Sequence, residues 1–243
     1  MAVHAGSGVR ALLFDLDDTL IATTRASHTA EREVKTLLKF KYRYEDSAAD
    51  TVIQKFNTKL KQHFESSMKQ DVKKLRQLHF EQAIQETKGG EPDPVLASEC
   101  YSLWRNTRLQ HIHFTDEVKA MLTALRQSYK LLLLTNGPAE VQREKIEACS
   151  CQQYFDAIIV GGEYPEQKPA RSIFQECWNI LGVKPEACVM VGDNLNTDIQ
   201  GGVNAGLCAT IWINPTNQKP KGDVIPDYSV MSVLDVVDIL KKL

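Results

Sequence analysis

VRALLFDLDDTL, residues 9–20, decides the architecture. Its apolar part does not alternate with polar residues, and a short continuous apolar run reads as a strand buried on both faces, the kind found in a parallel sheet covered by helices. The run predicts a strand over Val9 to Phe14, with Asp15 and Asp17 just past its carboxyl end. Open α/β sheets place their ligands at that end. Two aspartates with one residue between them at the mouth of a sheet need a counter-ion, and a hard divalent cation such as magnesium is the natural one. Aspartate also serves turns, so Asp18 reads equally well as a turn or helix-capping residue.

Working outward, similar apolar runs recur after residue 129, each followed by a turn signal and an amphipathic stretch. They predict strands at Lys130 to Leu134, Ala157 to Val160, Cys188 to Val191 and Ala209 to Ile213. Between them lie predicted helices at about Pro138 to Cys149, Ala170 to Leu181 and Leu195 to Ala205, with Gly182 and Gly206 at the helix stops. The tail from Ser229 to Leu243 predicts a short strand and a closing helix. This alternation implies an α/β, Rossmann-like core, a parallel sheet flanked by helices.

More than a hundred residues separate the first two strands, far beyond the dozen or so that a parallel crossover needs. The intervening pattern is helical. Val34, Leu37 and Leu38, then Val52, Ile53 and Phe56, then Val72, Leu75 and Leu78, then Val95, Cys100, Leu103 and Trp104 mark about four amphipathic helices packed as a bundle. KGGEPDP, residues 88–94, breaks the chain before the last of these helices, and Thr115 is placed to cap the helix returning to the core. The expected organisation is a catalytic core over 1–24 and 108–243 with a helical insertion over 25–107.

Bulk composition narrows the function by exclusion. Lys and Arg total 29 against 31 Asp and Glu, a formal charge of -2, which supplies no global field for nucleic acid or anionic lipid. No apolar run approaches a membrane span of ~20 residues, and no secretory signal opens the chain, so a cytoplasmic protein is expected. The six cysteines form no CxxC pair; Cys149 and Cys151 read as buried or half-buried thiols before redox partners.

Three more strand ends carry groups suited to phosphoryl transfer. Thr135, Asn136 and Gly137 offer a hydroxyl, an amide and an unhindered N–H for phosphate oxygens. Lys168, before Pro169, offers a cation to offset charge on a carboxylate and a phosphate. Asp193, after Gly192, and Asp198 complete with Asp15 and Asp17 an oxygen-rich magnesium site. Each group alone has an ordinary structural use. Four in order, each at the end of a separate buried strand, are hard to explain by turn chemistry.

DLDDT (15–19), LLLLTNG (131–137), EQKPA (166–170) and VGDNLNTD (191–198) resemble the four motifs of the haloacid dehalogenase-like hydrolase superfamily, in order and without departure at the defining positions. That family carries a helical cap after its first strand, and the insertion over 25–107 is similar to it. QETKGG, TRLQH, QREKIEAC, FDAIIVGGE and TDIQGG further resemble one sugar-acid phosphatase branch of the family.

The resemblance implies a magnesium-dependent phosphomonoesterase. Asp15 would be the nucleophile and Asp17 the acid and base, and Thr135, Asn136, Gly137 and Lys168 would hold phosphate. Magnesium would be held by Asp15, Asp17 through its backbone carbonyl, and Asp193, with Asp198 behind the metal-bound water. The implied partner is a small-molecule sugar phosphate, with no nucleic acid or membrane partner and a monomer or weak dimer as the assembly. A closing cap would set specificity, with Lys88, Arg105, Arg108, His111 and His113 as candidate contacts. A phosphatase or phosphomutase for another sugar phosphate and a catalytically silent binding scaffold stay open at this point, whereas a dehalogenase of the same superfamily would leave Asp17 and Asp193 unexplained.

Overall fold

The computed structural model describes residues 8–62, 71–220 and 222–243, and these divide into two compact units. One takes the described residues up to Ala22 together with His113–Leu243; the other is Thr23–Ile112.

The first unit is built on β1 (Ala11–Phe14), β2 (Lys130–Thr135), β3 (Ala157–Val160), β4 (Cys188–Gly192), β5 (Ala209–Ile213) and β6 (Tyr228–Val230). All pairs are parallel and the strand order is β3-β2-β1-β4-β5-β6. This is the doubly wound order, and it reverses direction between β1 and β4, where such sheets open a crevice at their carboxyl ends. Register places Phe14 beside Leu133 on one side and Val191 on the other. β1 therefore ends two residues short of the end of β2 and one short of the end of β4.

The second unit consists of α1 (Thr23–Phe40), α2 (Asp46–Gln62), α3 (Val72–Lys88) and α4 (Pro94–Gln110). α1 packs on α2 and α4, and α3 packs on α2 and α4, which closes a four-helix arrangement. At its centre the rings of Phe56 and Phe80 stack 3.7 Å apart and Trp104 meets Phe56 edge-on at 5.2 Å. Most apolar positions expected to face inward do so, including Val34, Leu38, Val52, Phe56, Val72, Cys100 and Trp104. Leu78 and Val95 are exceptions, at 44% and 74% exposure. On α3 the buried stripe runs instead through Val72, His79, Phe80, Ala83 and Ile84. On α4, Asp93 caps Leu96 N and Pro94 opens the first turn, so Val95 falls on the outer side of a turn fixed by the cap.

Returning to the first unit, α5 (Asp116–Leu125), α6 (Ala139–Ala148), α7 (Arg171–Leu181), α8 (Gln200–Ala205) and α9 (Val236–Leu240) cover the sheet and its ends. Thr115 caps α5 by accepting from Val118 N at 3.3 Å. Ile173, Phe174, Cys177 and Leu181 of α7 pack on Ala11, Leu13, Leu132, Leu134 and Met190, alternate residues that share one face of the sheet. All six cysteines are free and only Cys208 is exposed.

One predicted helix differs in form. The stretch from Leu195 to Ala205 is a wide π-helical turn, Leu195–Ile199, followed by α8. Asn194 caps the turn through Asn196 N and Thr197 N, and the carboxylate of Asp198 accepts from Asn194 N at 3.0 Å. Aiming Asp198 back along the chain takes this wider turn, and such turns recur at functional sites.

Candidate active site

The site is assembled at the carboxyl ends of β1, β2 and β4. Asp15 N donates to Val191 O at 2.9 Å, so the β1–β4 ladder continues one residue past β1 and fixes where the Asp15 side chain leaves the sheet. Asp18 then takes a left-handed conformation (φ 55), and Asp18 N donates to Ile21 O at 2.8 Å, closing a tight loop. Short polar side chains tolerate that conformation best, which accounts for an aspartate at this turn position.

Lys168 is buried at the centre. Its Nζ lies 2.6 Å from Asp15 Oδ1, 2.7 Å from Leu134 O and 2.7 Å from Asp198 Oδ1. Burial works against the ammonium, yet Asp15 and Asp198 together hold its pKa above that of an ordinary lysine. Around it, one oxygen each from Asp15, Asp193 and Asp198 fall within 4.8 Å of one another. Burial pushes Asp193 up to about 7, with Asp198 and Asp18 adding to the effect. Burial likewise pushes Asp15 up to about 8, against the pull of Lys168.

When all three are ionised, three carboxylates facing one ammonium leave a deficit of two positive charges. An all-oxygen donor set with that deficit fits one hard divalent cation, and magnesium matches both its charge and its chemistry. Asp198 belongs to this trio and pairs with Lys168, a more central position than the outer one expected from sequence. Trp212 Nε1 donates to Asp193 O at 2.8 Å and so fixes the backbone beside the trio.

The loop after β2 is braced as well as exposed to the site. The Asn136 amide is reciprocally bonded to the Lys168 backbone, donating to Lys168 O at 2.8 Å and accepting from Lys168 N at 3.0 Å. In this structure its side chain holds the lysine segment, and the sequence reading gave it phosphate. Gly137 N donates to Gln167 Oε1 at 3.3 Å, so this N–H also has a protein partner. Thr135 is 1% exposed and its hydroxyl accepts from Gln142 Nε2 at 2.8 Å.

Asp17 stands apart from the trio. Lys145 Nζ lies 2.7 Å from each of its carboxylate oxygens, and Gln142 Nε2 donates to Oδ2 at 2.9 Å. Sequence reasoning missed both partners. Their one signal was spacing: Gln142 and Lys145 lie three apart, on the face of α6 that also carries buried Ile146.

Four of the five candidate specificity residues have local partners. Arg108 Nε donates to Ser27 Oγ at 3.0 Å and its guanidinium lies 4.3 Å from the Trp104 ring centroid. Lys88 sits 4.3 Å from the Tyr44 ring centroid, Arg105 donates to Asn106, and His111 Nδ1 is 2.9 Å from Thr107 O. His113 is exposed and belongs to the sheet-bearing unit.

Comparison with known proteins adds three findings. A family model described as haloacid dehalogenase-like hydrolase matches residues 9–206. N-acylneuraminate-9-phosphatase of Homo sapiens is 53% identical over 98% of this chain and 96% of its own length, and that of Mus musculus is 52% identical over the same shares. Among solved structures, the magnesium-bound HAD-hydrolase YfnB of Bacillus subtilis superposes with a TM-score of 0.71 at 25% identity, covering 96% of this chain and 98% of that one. Among the described residues, no helix is long and apolar enough to cross a membrane.

Proposed function

The chain belongs to the haloacid dehalogenase-like hydrolase family, and from that premise we propose that it is a magnesium-dependent phosphomonoesterase working through an aspartyl-phosphate on Asp15. The observation that carries this reading is Lys168, whose single ammonium joins Asp15 to Asp198 where the sheet order reverses. A carboxylate so held is aimed as an in-line nucleophile requires, and the ammonium opposes the burial that favours its protonated form.

In the first half-reaction an Asp15 oxygen attacks phosphorus, the ester P–O bond breaks, and the leaving alkoxide takes a proton from Asp17. In the second, water attacks the acyl phosphate, Asp17 takes the water's proton, and phosphate leaves with the Asp15 carboxylate regenerated. The same carboxyl group serves as acid and then base, so its protonation state is restored in each cycle. The Thr135 hydroxyl, the Gly137 backbone and the Lys168 ammonium are the groups we assign to the phosphate oxygens, with Asn136 fixing the Lys168 backbone. The carboxylates of Asp15, Asp193 and Asp198 and the Asp17 backbone carbonyl would hold magnesium, which when bound would neutralise charge between nucleophile and phosphate.

For the substrate we propose N-acylneuraminate 9-phosphate, hydrolysed to the free sugar acid and phosphate. The support is the 53% identity to the human phosphatase, sustained over 98% of the chain. The test is a phosphate-release screen across sugar phosphates that includes N-acylneuraminate 9-phosphate. A clear preference for that ester supports the assignment; a flat profile or a preference for an unrelated ester removes it.

A further inference from the structure

Lysine and glutamine are rarely buried, and on α6 both are, at 5% and 3% exposure for Lys145 and Gln142. Their side chains converge on one carboxylate from far along the chain. Lys145 Nζ meets both oxygens of Asp17 at 2.7 Å, and Gln142 Nε2 meets Oδ2 at 2.9 Å. The same Gln142 nitrogen reaches Thr135 Oγ1 at 2.8 Å and Asn136 O at 2.5 Å. A carbonyl and a carboxylate only accept, so the amide must present its NH₂ group to them, and its orientation is fixed.

Gly137 makes room for this arrangement. It has φ 120, and a Cβ there would stand 3.3 Å from Gln142 Nε2, tighter than ordinary contact. The α6 pair thus ties the loop after β1 to the loop after β2. Burying an ammonium has a desolvation cost that a structural fastening could avoid with an apolar pair of similar volume.

We infer that Lys145 and Gln142 are positioning residues for the acid and base step: they hold the Asp17 carboxylate in the orientation from which it exchanges a proton with the leaving group, and register it against Thr135. This rests on the reading of Asp17 given above. Proton transfer is sensitive to placement, and a displacement of about 1 Å can cost 100-fold in rate.

Leaving-group dependence separates this role from a merely structural one. An alkoxide needs a proton as it departs, whereas p-nitrophenolate departs without one. The full-length protein with magnesium would be assayed on p-nitrophenyl phosphate and on the alkyl phosphate hydrolysed fastest in the screen above. Lys145→Met and Gln142→Leu are expected to lower kcat on the alkyl ester by about tenfold or more while changing kcat on the aryl ester less than about threefold. Lys145→Arg, which keeps the charge, should recover part of the loss.

Equal losses on the two esters, or a change in KM alone, would overturn the inference. So would a further tenfold loss when Lys145→Met is added to Asp17→Asn, because residues acting through one group do not add. Asp17→Asn alone is the control on the underlying reading. If its loss shows no leaving-group dependence, the acid and base assignment fails and the positioning role falls with it. If its loss does show that dependence while the α6 variants behave as wild type, only the positioning role fails. Should Lys145→Met not fold, Gln142→Leu and Lys145→Arg, each compared with wild type by circular dichroism, decide the matter.

Discussion

Lys168 Nζ lies 2.6 Å from Asp15 Oδ1, a contact between residues 153 positions apart that is nearly closed to solvent. The lysine is equally committed to Asp198 at 2.7 Å, so the pair is a shared bridge. Breaking a buried ion pair by removing one partner typically costs ~3–5 kcal/mol, since the remaining charge is left uncompensated.

Lys168→Met should therefore lose stability of about that size by urea denaturation, and phosphate release with it. Lys168→Arg should not restore activity, because a planar guanidinium cannot replace a point charge in a site only 3% exposed. Full stability in Lys168→Met would contradict the bridge.

Asp15→Asn should fold, since Asp198 still balances Lys168, but phosphate release should fall to background. Acid quenching during turnover should leave a covalent phosphoryl adduct on wild-type protein, seen as a mass increase, and none on Asp15→Asn. Hydrolysis near the wild-type rate by a pure sample of the variant would exclude Asp15 as nucleophile.

Removal of divalent cations by a chelator should stop hydrolysis, and added magnesium should restore it. Magnesium should also raise the melting temperature, because a ligand that binds only the folded state stabilises it by mass action. Asp193→Asn takes one carboxylate from the trio and should shift both responses to higher magnesium concentration. Unchanged magnesium dependence in Asp193→Asn would remove that residue from the metal site.

Gly192 closes β4 directly beside the trio. A methyl group there would overlap the Asp198 carboxyl carbon and Cβ, so Asp198, buried at 1% exposure, would have to shift. Gly192→Ala should thus weaken magnesium activation more than it weakens the fold, read by magnesium titration beside circular dichroism. A wild-type titration curve would count against Asp198 as part of the site.

Thiol chemistry offers a check on the packing. Burial pushes Cys100 and Cys188 up to about 12, so at pH 8 almost none of either is thiolate, the reactive form. Cys208 is exposed. The native protein should show Cys208 reacting rapidly with a disulfide reagent, a reaction lost in Cys208→Ser, with Cys100 and Cys188 reacting only on unfolding.

The sequence by itself determined the parallel sheet and the chemical groups at its strand ends. Continuous apolar runs and the turn residues after them are local signals, so the strands at Ala157–Val160 and Ala209–Ile213 were legible to the residue. Asp15, Thr135 and Asp193 could be picked out because each directly follows or closes such a run, and Lys168 because it lies just before the helix that follows one. The inward face of α3 was less legible: Leu78 and Phe80 are both apolar, and only packing against α2 and α4 puts Phe80 inside and Leu78 outside.

Tertiary structure alone decided which charges meet. Asp17 finds Gln142 and Lys145 across 125 and 128 residues, and Asp198 meets Lys168 from within a π-helical turn. Spacing along a chain specifies which face of an element a side chain occupies. Which partner stands opposite depends on how separate elements stack, and that is set by packing of the whole core.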